Sequence, residues 1–275
     1  MRLKESLKDV LSKEESDIFQ GAYTIIGDVA IIEIPDGLKK HKKRIAEEIR
    51  KAHPRIKTIC NKKGERAGDY RISDLEVIFG RDTETEHTEF GCRFRVDVRK
   101  AYFSEREGTE RQRIAKMIKP KEKVLVMFSG VSPSPIIYAK FQPKLDRVYG
   151  IDINPEAHKY AEYNVRKNKV MDKVVPLVGD VRKVAPSLKI KFDRITMPLP
   201  KGAHEFLGLA LDCVKKNGTI HFYHVEHDEN LYGEALEIIK NEAKKAKKKI
   251  KVLGKKKILP YGPRLWKVCI DFTVS

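Results

Sequence analysis

The pattern with the most chemical content in this chain is a glycine turn followed by acidic residues at the ends of apolar segments. Gly130 follows the apolar run KVLVMF, and Asp152 ends the next apolar run 22 residues later. A glycine lets a ligand approach the backbone, and an acid at this distance can accept hydrogen bonds from ribose hydroxyls. Asp180 ends a third run, and Pro198-Leu199-Pro200 follows a fourth. The pattern indicates a cofactor that contains a nucleoside.

Two cofactors of this kind fit a glycine turn followed by an acid. One is a dinucleotide and the other is S-adenosylmethionine. The turn here is FSGVS and not GxGxxG, so the usual cradle for a pyrophosphate is incomplete. Asp180 could accept a hydrogen bond from an adenine amino group, and Pro-x-Pro forms a rigid loop of the kind that holds the target ring in base methylases. These features favour S-adenosylmethionine, with a dinucleotide as the alternative.

The elements that would position these residues alternate between strands and helices from about residue 106 onward. Apolar runs predict strands at 123–130, 147–154, 174–180, 192–200, 219–226 and 266–274, with a helix between each consecutive pair except the third and fourth. This spacing is typical of an open, doubly wound α/β sheet, in which ligands bind beyond the carboxyl ends of the strands. Residues 1–105 lack the alternation and predict a small α+β domain, so the boundary is placed near residue 105.

Composition points to a folded protein that binds a polyanion. The 275 residues carry 57 Lys and Arg against 39 Asp and Glu, a net charge of +18. Such a charge favours nucleic acid as partner, and the alternative is a Lys/Glu-rich surface suited to high temperature. The lysine-rich segment 240–257 predicts a helix followed by a turn, either a solvated face or a phosphate-binding patch. No apolar stretch reaches the roughly 18 residues of a membrane span, and no secretion signal opens the chain, so a cytoplasmic protein is expected.

Metal and disulfide chemistry are not indicated. Cys60, Cys92, Cys213 and Cys269 form no CxxC pair. His221, His224 and His227 fall at a spacing that does not put all three on one face of a strand, so no metal site is predicted.

Six segments carry a resemblance to a known family over nearly the whole chain. They are IIGDVAIIEIP (25–35), KAYFSEREGTERQRIA (100–115), VLVMFSGVSPSPI (124–136), YGIDINPEAHKYAEYNVRKNKV (149–170), DRITMPLPKGAHEFL (193–207) and YGPRLWKVCIDFTV (261–274). The chain resembles the archaeal and eukaryal tRNA (guanine-37-N1)-methyltransferases. The resemblance implies a class I methyltransferase (Rossmann-like) domain at 106–275 preceded by a small α+β RNA-binding or linker domain at 1–105. It also implies a short form without the additional N-terminal domain of larger members.

The resemblance implies methyl transfer from S-adenosylmethionine to N1 of the guanosine next to the anticodon. A base must remove the N1 proton while a cation stabilises the charge that appears on O6. Arg106 matches the arginine that serves O6 in the family, and Asp146 is the nearest acid to the position of the family's base. The structural alternative for Arg106 is an ion pair with Glu105, Glu107 or Glu110.

Further site residues follow from the same match. The tRNA is the expected partner, and the target base must be flipped out of its stack. The cofactor is expected to contact Phe128, Gly130, Asp152, Ile153, Asp180, Val181 and Pro198. The guanosine is expected to contact Tyr102, Phe103, Arg111, Pro198, Leu199 and Pro200.

Three departures from the family pattern leave alternatives open. Val126 stands where many members have Asp, Ser132 where they have a second glycine, and Pro198 where the fourth-strand motif begins with Asn. The acceptor could therefore be a modified guanosine. The competing hypotheses are the aminocarboxypropyl transferase of wybutosine synthesis, and a tRNA-binding protein with a decayed cofactor site. The MPLP segment favours the methylase, and a monomer is expected.

Overall fold

A computed structural model describes residues 3–64, 68 and 70–275. The chain divides between Glu105 and Arg106 into two compact units. No helix in the described ranges is long and apolar enough to cross a membrane.

The first unit contains a four-stranded sheet in the order β1-β2-β3-β4. Its strands are Tyr23–Ile26, Val29–Ile32, Thr58–Lys62 and Leu75–Phe79, and β2 and β3 run parallel while the other pairs are antiparallel. Helices α1 (Leu3–Ser6), α2 (Lys13–Ile18) and α3 (Lys42–Ala52) accompany it, and a 3₁₀ turn at Asp36–His41 precedes α3. Ile45 and Ile49 on the apolar stripe of α3 are fully buried in a cluster that includes Ile59 of β3. The predicted α+β character of this region is confirmed.

The first unit also contains a separate hairpin of β5 (Glu84–Glu89) and β6 (Cys92–Asp97). Strand β6 alternates between buried apolar and exposed arginine side chains, whereas the sequence of β5, ETEHTE, is polar throughout and gives no such pattern. Two cross-strand ion pairs, Arg93 with Glu86 and Arg95 with Glu84, occupy the exposed face of the hairpin. Charge pairing across the strands replaces the apolar alternation by which strands are usually found.

The second unit is built on a seven-stranded sheet in the order β12-β13-β11-β10-β7-β8-β9. The strands are β7 (Lys123–Met127), β8 (Arg147–Asp152), β9 (Val174–Val178), β10 (Phe192–Met197), β11 (Val214–His227), β12 (Ile250–Gly262) and β13 (Leu265–Val274). Neighbouring strands from β9 to β11 are parallel, and β13 is antiparallel to both β11 and β12. The predicted doubly wound sheet is confirmed.

Helices precede, connect and follow the parallel strands of this sheet and bury its interior. They are α4 (Gly108–Met117), α5 (Pro133–Phe141), α6 (Pro155–Lys167), α7 (Val181–Ser187), α8 (Leu207–Cys213) and α9 (Gly233–Lys245). Leu125 of β7, Ile195 of β10 and Leu211 of α8 are fully buried in one cluster. The sequence analysis did not predict α7, a short helix that begins directly after Asp180.

The lysine-rich segment 240–257 differs from the predicted helix and turn. Its first part lies in α9, but residues from Ile250 onward form the long edge strand β12, paired with β13 from Ile250 opposite Val274 to Gly262 opposite Leu265. Lysines on an edge strand discourage pairing with another chain, so they suit this position as well as they suit a helix. Lys257 lies 3.4 Å from the centroid of the Trp266 ring, which gives it a cation–π contact across the two strands.

Candidate cofactor and base site

The sheet of the second unit has a topological switch point between β7 and β10. These two strands are neighbours, but the chain continues from β7 toward β8 and β9 on one side and from β10 toward β11 on the other. Their last residues are Met127 and Met197. In open α/β sheets a ligand binds in the crevice that such a switch point opens at the carboxyl edge.

The turn after β7 folds over the end of β8. Phe128, Gly130 and Ser132 have positive φ angles of 62°, 54° and 64°. The backbone N–H of Ser129 donates to the carbonyl oxygen of Ile151 at 2.9 Å. The Gly130 N–H donates to Oδ2 of Asp152 at 2.6 Å. The predicted pairing of the glycine turn with the acid is therefore a direct contact.

Asp152 keeps hydrogen-bonding capacity for a ligand. Its Oδ1 accepts a hydrogen bond from the backbone N–H of Asn154 at 3.0 Å, and a carboxylate accepts about four bonds in all. Burial raises the pKa of Asp152, and the two backbone donors oppose that shift. The arrangement holds the carboxylate at the end of β8, where ribose hydroxyls can donate to it.

Other groups around this turn fit the nucleoside part of S-adenosylmethionine. The hydroxyls of Ser129 and Ser132 are buried and have no hydrogen-bond partner within the described structure. Ile153, next to Asp152, is 37% exposed and offers an apolar surface to a ring. Ser132 is fully buried in a left-handed conformation, a backbone geometry that glycine adopts most easily.

Asp180 lies at the carboxyl edge but is already paired. It caps α7 by accepting from the Arg182 N–H at 2.9 Å, and its Oδ2 accepts from Nη2 of Arg182 at 2.7 Å. Hydrogen bonds from Arg182 lower the pKa of Asp180. An adenine amino group that bound here would have to share this carboxylate with Arg182. Val181 is 4% exposed and packs in the core cluster, so its side chain is part of the interior.

The loop after β10 is short and held by two hydrogen bonds. The Leu199 N–H donates to the Met197 carbonyl at 2.8 Å, and the Pro198 carbonyl accepts from Nζ of Lys267 at 3.4 Å. Pro198 and Leu199 are half-buried, and Pro200 is buried. At Pro198 the loop thus presents a backbone carbonyl as its polar group.

Arg106 is exposed at the start of the second unit. Its Nη2 donates to the carbonyl oxygen of Pro260 at 3.5 Å. The carboxylates of Glu107 and Glu110, two of the ion-pair partners that the sequence allowed, are bound to Lys267 and Arg113 instead.

The structure does not bring Asp146 to this edge. Asp146 immediately precedes β8, whereas Asp152 ends it, so the two acids lie at opposite edges of the sheet. Its carboxylate lies 3.6 Å from Nζ of Lys123. Six strand residues span about 20 Å, which is too far for a proton transfer within the crevice. The expectation that Asp146 acts as the base is therefore corrected.

Three other residues expected to contact the substrate are buried or half-buried, which the sequence did not indicate. Arg111 on α4 is 5% exposed, so its guanidinium is not on the surface. Phe103 packs within the first unit, with ring centroids 5.9 Å from Phe94 and 5.2 Å from His87. Tyr102 is half-buried.

A buried polar network on β11, β13 and α4 was missed by the sequence analysis. Nδ1 of His221 lies 2.6 Å from Oδ1 of Asp271, and Nη1 of Arg194 lies 2.7 Å from Nε2 of His221. Because Arg194 can only donate, His221 is the neutral tautomer that donates from Nδ1. Burial lowers the pKa of His221, opposed by the Asp271 carboxylate. The sequence feature that could have indicated this network is Asp271, a lone acid within the apolar strand VCIDFTV.

Arg113 joins the same network to α4. Burial alone would raise the pKa of Asp271, but hydrogen bonds from His221 and Arg113 lower it. Cys269 brings its sulfur close enough to His221 and Asp271 for the three to resemble a metal-binding group. Arg194 and Arg113 already occupy the ligand atoms of His221 and Asp271, so these residues form a hydrogen-bonded network.

Comparison with known proteins agrees with this geometry. Residues 85–253 match the TRM5/TYW2 methyltransferase domain, and residues 3–83 match the TYW2 N-terminal domain. The chain belongs to the TRM5/TYW2 methyltransferase family. The doubly wound domain is accordingly of the class I, S-adenosylmethionine-dependent type, and the resemblance found in the sequence is confirmed.

Two similar relatives have different named activities. The tRNA (guanine(37)-N(1))-methyltransferase Trm5b of Pyrococcus abyssi is 44% identical over 255 residues, which cover 92% of this chain and 75% of the relative. The tRNA(Phe) (4-demethylwyosine(37)-C(7)) aminocarboxypropyltransferase of Methanocaldococcus jannaschii is 34% identical over 253 residues, which cover 90% of this chain and 96% of the relative.

Solved structures of the family have the same fold. A complex of aTrm5 with tRNALeu superposes with a TM-score of 0.88 at 33% identity and covers 100% of this chain and 78% of that chain. M. jannaschii TYW2 in complex with AdoMet superposes with a TM-score of 0.72 at 28% identity, covering 92% and 99% of the two chains.

Proposed function

We propose that this protein transfers the methyl group of S-adenosylmethionine to N1 of guanosine 37 in tRNA. The observation that carries the proposal is the crevice at the carboxyl edge, where the Gly130–Asp152 contact meets the switch point beside the Met197–Pro200 loop. The 44% identity to a Trm5b enzyme supports the methyl group and N1 as the reacting partners.

Different residues of the crevice contact different parts of the cofactor. S-adenosylmethionine supplies an electrophilic methyl group on a sulfonium centre. Asp152 accepts the ribose hydroxyls, Ile153 contacts the adenine ring, and the backbone turn from Phe128 to Gly130 approaches the methionine part. Asp180 accepts from the adenine amino group alongside Arg182, and Pro198 borders the cofactor and the base.

At the guanine, the N1 proton passes to water, the electron pair left on N1 forms the bond to the methyl carbon, and the pair of the carbon–sulfur bond stays on sulfur. Negative charge develops on O6 during this step, and Arg106 donates to it. Glu107 and Glu110 are held by Lys267 and Arg113, and Asp146 lies at the opposite edge of the sheet, so none of these three carboxylates is assigned as the base. Leu199 and Pro200 form the wall against which the flipped base rests.

Binding of tRNA draws on the positive surface of the protein. Exposed lysines lie on the last turn of α9 and along β12, among them Lys244, Lys251, Lys255 and Lys256. Contacts from these lysines and from the first unit to phosphates would release counterions, so the affinity for tRNA should fall steeply with salt concentration.

The experiment for this proposal is transfer from a cofactor labelled in both groups. An unmodified tRNA transcript is incubated with S-adenosylmethionine labelled on the methyl and the aminocarboxypropyl carbons, and the nucleosides are analysed by mass. The proposal expects 1-methylguanosine that carries only the methyl label. Transfer of neither label to the transcript or to tRNA from a strain lacking the enzyme would contradict it. A cofactor-binding titration then identifies a binding protein with a decayed site.

A second candidate function has its own support. The first unit matches the TYW2 N-terminal domain, and the aminocarboxypropyltransferase relative is covered over 96% of its length. In that reaction the same cofactor would give up its aminocarboxypropyl group to C7 of a tricyclic base. The doubly labelled cofactor separates the two functions, because only this candidate moves the aminocarboxypropyl label.

The assembly and location of the enzyme belong to the same proposal. We infer that it acts as a monomer in the cytoplasm, where tRNA is modified, and that the transfer needs no metal. Light scattering behind size exclusion should give the mass of one 31.6 kDa chain. A dimer mass, or activity that is lost with a chelator and restored by a metal, would contradict the inference.

A further inference from the structure

Lys267 is a buried cation with unusual partners. It lies on β13 and its side chain is 1% exposed. Its Nζ lies 2.8 Å from Oε1 of Glu107, whose side chain is 14% exposed, and donates to the carbonyl oxygen of Pro198 at 3.4 Å. The same Nζ lies 4.9 Å from the centroid of the Tyr223 ring. One ammonium group thus contacts the start of the second unit, the loop after β10 and the face of β11.

Stability alone does not account for a lysine in this position. Taking a lysine and a carboxylate out of water is costly, and replacing a buried ion pair by well-packed apolar residues is often neutral or stabilising. The next two residues of β13, Val268 and Cys269, are fully buried without charge. A role in the site is therefore a better explanation than a role in folding.

Both polar partners of Lys267 belong to segments that the proposed function uses. Glu107 directly follows Arg106, and both lie in the short 3₁₀ turn at Glu105–Glu107. Pro198 opens the loop after β10, and as a proline it has no side-chain donor and no backbone N–H. Its carbonyl is therefore the one polar group through which the protein can fix this residue.

We propose that Lys267 is a positioning residue, which ties the Arg106 turn to the Pro198 loop and so performs the task of the side-chain donor that Pro198 lacks. This inference rests on the proposed function and names a determinant of base orientation in that site. Lys267 acts through Glu107 and Pro198. It does not touch the reacting atoms.

The expected kinetic signature follows from the geometry. Loss of the tie would leave both segments in place but free to shift, and a displacement of about 1 Å can reduce the rate about 100-fold. The effect should appear in the rate of the chemical step and not in cofactor affinity. The hydrogen bond between Gly130 and Asp152, which orients the proposed cofactor ligand Asp152, does not involve Lys267.

The kinetic test compares Lys267→Met, which keeps the length and the apolar packing of the side chain, with the wild type. Single-turnover methylation should slow about 100-fold, while the Kd values for S-adenosylmethionine and tRNA stay within about twofold. Lys216→Met, which removes an exposed lysine near the start of β11, is the matched control. A Lys267→Met rate within twofold of wild type, or a rate loss matched by lost cofactor binding, would overturn the inference.

A double-mutant cycle tests whether Lys267 acts through Glu107. If it does, Lys267→Met/Glu107→Gln should be no slower than the slower single variant, and Lys267→Arg should recover part of the rate. Rate losses that multiply in the double variant would show that the two residues act independently and would contradict the tie.

Hydrogen exchange gives a result that does not depend on which group is transferred. In Lys267→Met without tRNA, peptides that contain Leu199 or Glu107 should exchange about tenfold faster, and a peptide covering Val174–Val178 should be unchanged. Unchanged exchange at Leu199 and Glu107 would overturn the inference. Failure of the proposed function would be detected separately, because the doubly labelled assay uses the wild-type enzyme.

Discussion

The backbone N–H of Gly130 donates to Oδ2 of Asp152 at 2.6 Å, which locks the turn after β7 to the end of β8. The contact joins the two residues that the sequence spacing linked. It also orients the carboxylate, since Oδ1 is bound to the Asn154 N–H on the other side. Backbone groups therefore hold the carboxylate of the proposed cofactor site in place without a ligand.

Asp152→Asn should weaken cofactor binding. The amide keeps the shape of the side chain but loses the charge, and one of its two terminal atoms can no longer accept from Gly130 N–H or from a ribose hydroxyl. Isothermal titration should show an S-adenosylmethionine Kd about 10- to 100-fold higher. Asp172→Asn, at an exposed aspartate after α6, is the control and should bind as wild type does. Equal affinities for both variants would remove Asp152 from the cofactor site.

Arg106→Ala should slow the chemical step and leave cofactor binding intact. If the guanidinium stabilises the charge on O6, single-turnover methylation should fall about 100- to 1,000-fold. Arg147→Ala, an exposed arginine at the amino end of β8, serves as the control. A rate within threefold of wild type, at saturating tRNA and cofactor, would refute the role of Arg106.

Asp271→Asn should destabilise the second unit. Asp271 is 3% exposed and binds both His221 and Arg113, so its neutralisation removes one of the two carboxylates that pair with Arg113 and leaves a buried donor without its acceptor. Urea unfolding followed by the fluorescence of Trp266 should show a loss of about 3 kcal/mol in the free energy of unfolding. Asp212→Asn, at an exposed position, should change it little. Because the pKa of Asp271 is lowered, its contribution is present above its unfolded pKa of about 3.9 and is lost as pH falls below that value.

His221 should make the fold sensitive to mild acid. Its pKa is lower in the folded than in the unfolded state, so the unfolded chain binds more protons below pH about 6.5. The free energy of unfolding should therefore fall as pH falls from about 6.5, by up to about 1.4 kcal/mol per pH unit for this one group.

The matched variant for this pH dependence is His221→Gln, measured by urea unfolding between pH 7 and 5. It should be less stable at pH 7 but should lose less free energy of unfolding over the same interval. His204→Gln, at an exposed histidine, should keep the wild-type slope. An unchanged slope in His221→Gln would show that another group binds the proton.

Much of the site could be predicted from the sequence because it follows from the order of the strands. Apolar runs mark the parallel strands, and the residues after them must meet at one edge, which brings Gly130 and Asp152 together. The Pro198 loop follows from the same rule, since β10 is the neighbour of β7.

The parts that sequence analysis missed depend on tertiary partners. The sequence predicts a turn after the lysine-rich helix, yet pairing with β13 makes residues 250–257 a strand, so tertiary contacts override local preference. Asp146 is close to Asp152 in sequence but lies at the other end of the strand between them. The burial of Lys267 and the pairing of Asp180 with Arg182 depend on side-chain contacts that no spacing specifies.

The most direct test of the central claim is primer extension on a tRNA transcript after incubation with the protein and S-adenosylmethionine. A methyl group on N1 blocks the Watson–Crick edge of guanosine, so reverse transcription should stop one nucleotide before position 37. The stop should require both the protein and the cofactor and should be absent from a transcript with adenosine at position 37. Methyl label in the tRNA without a stop at position 37 would contradict the claim, because the methyl group would then lie on another atom or another nucleotide.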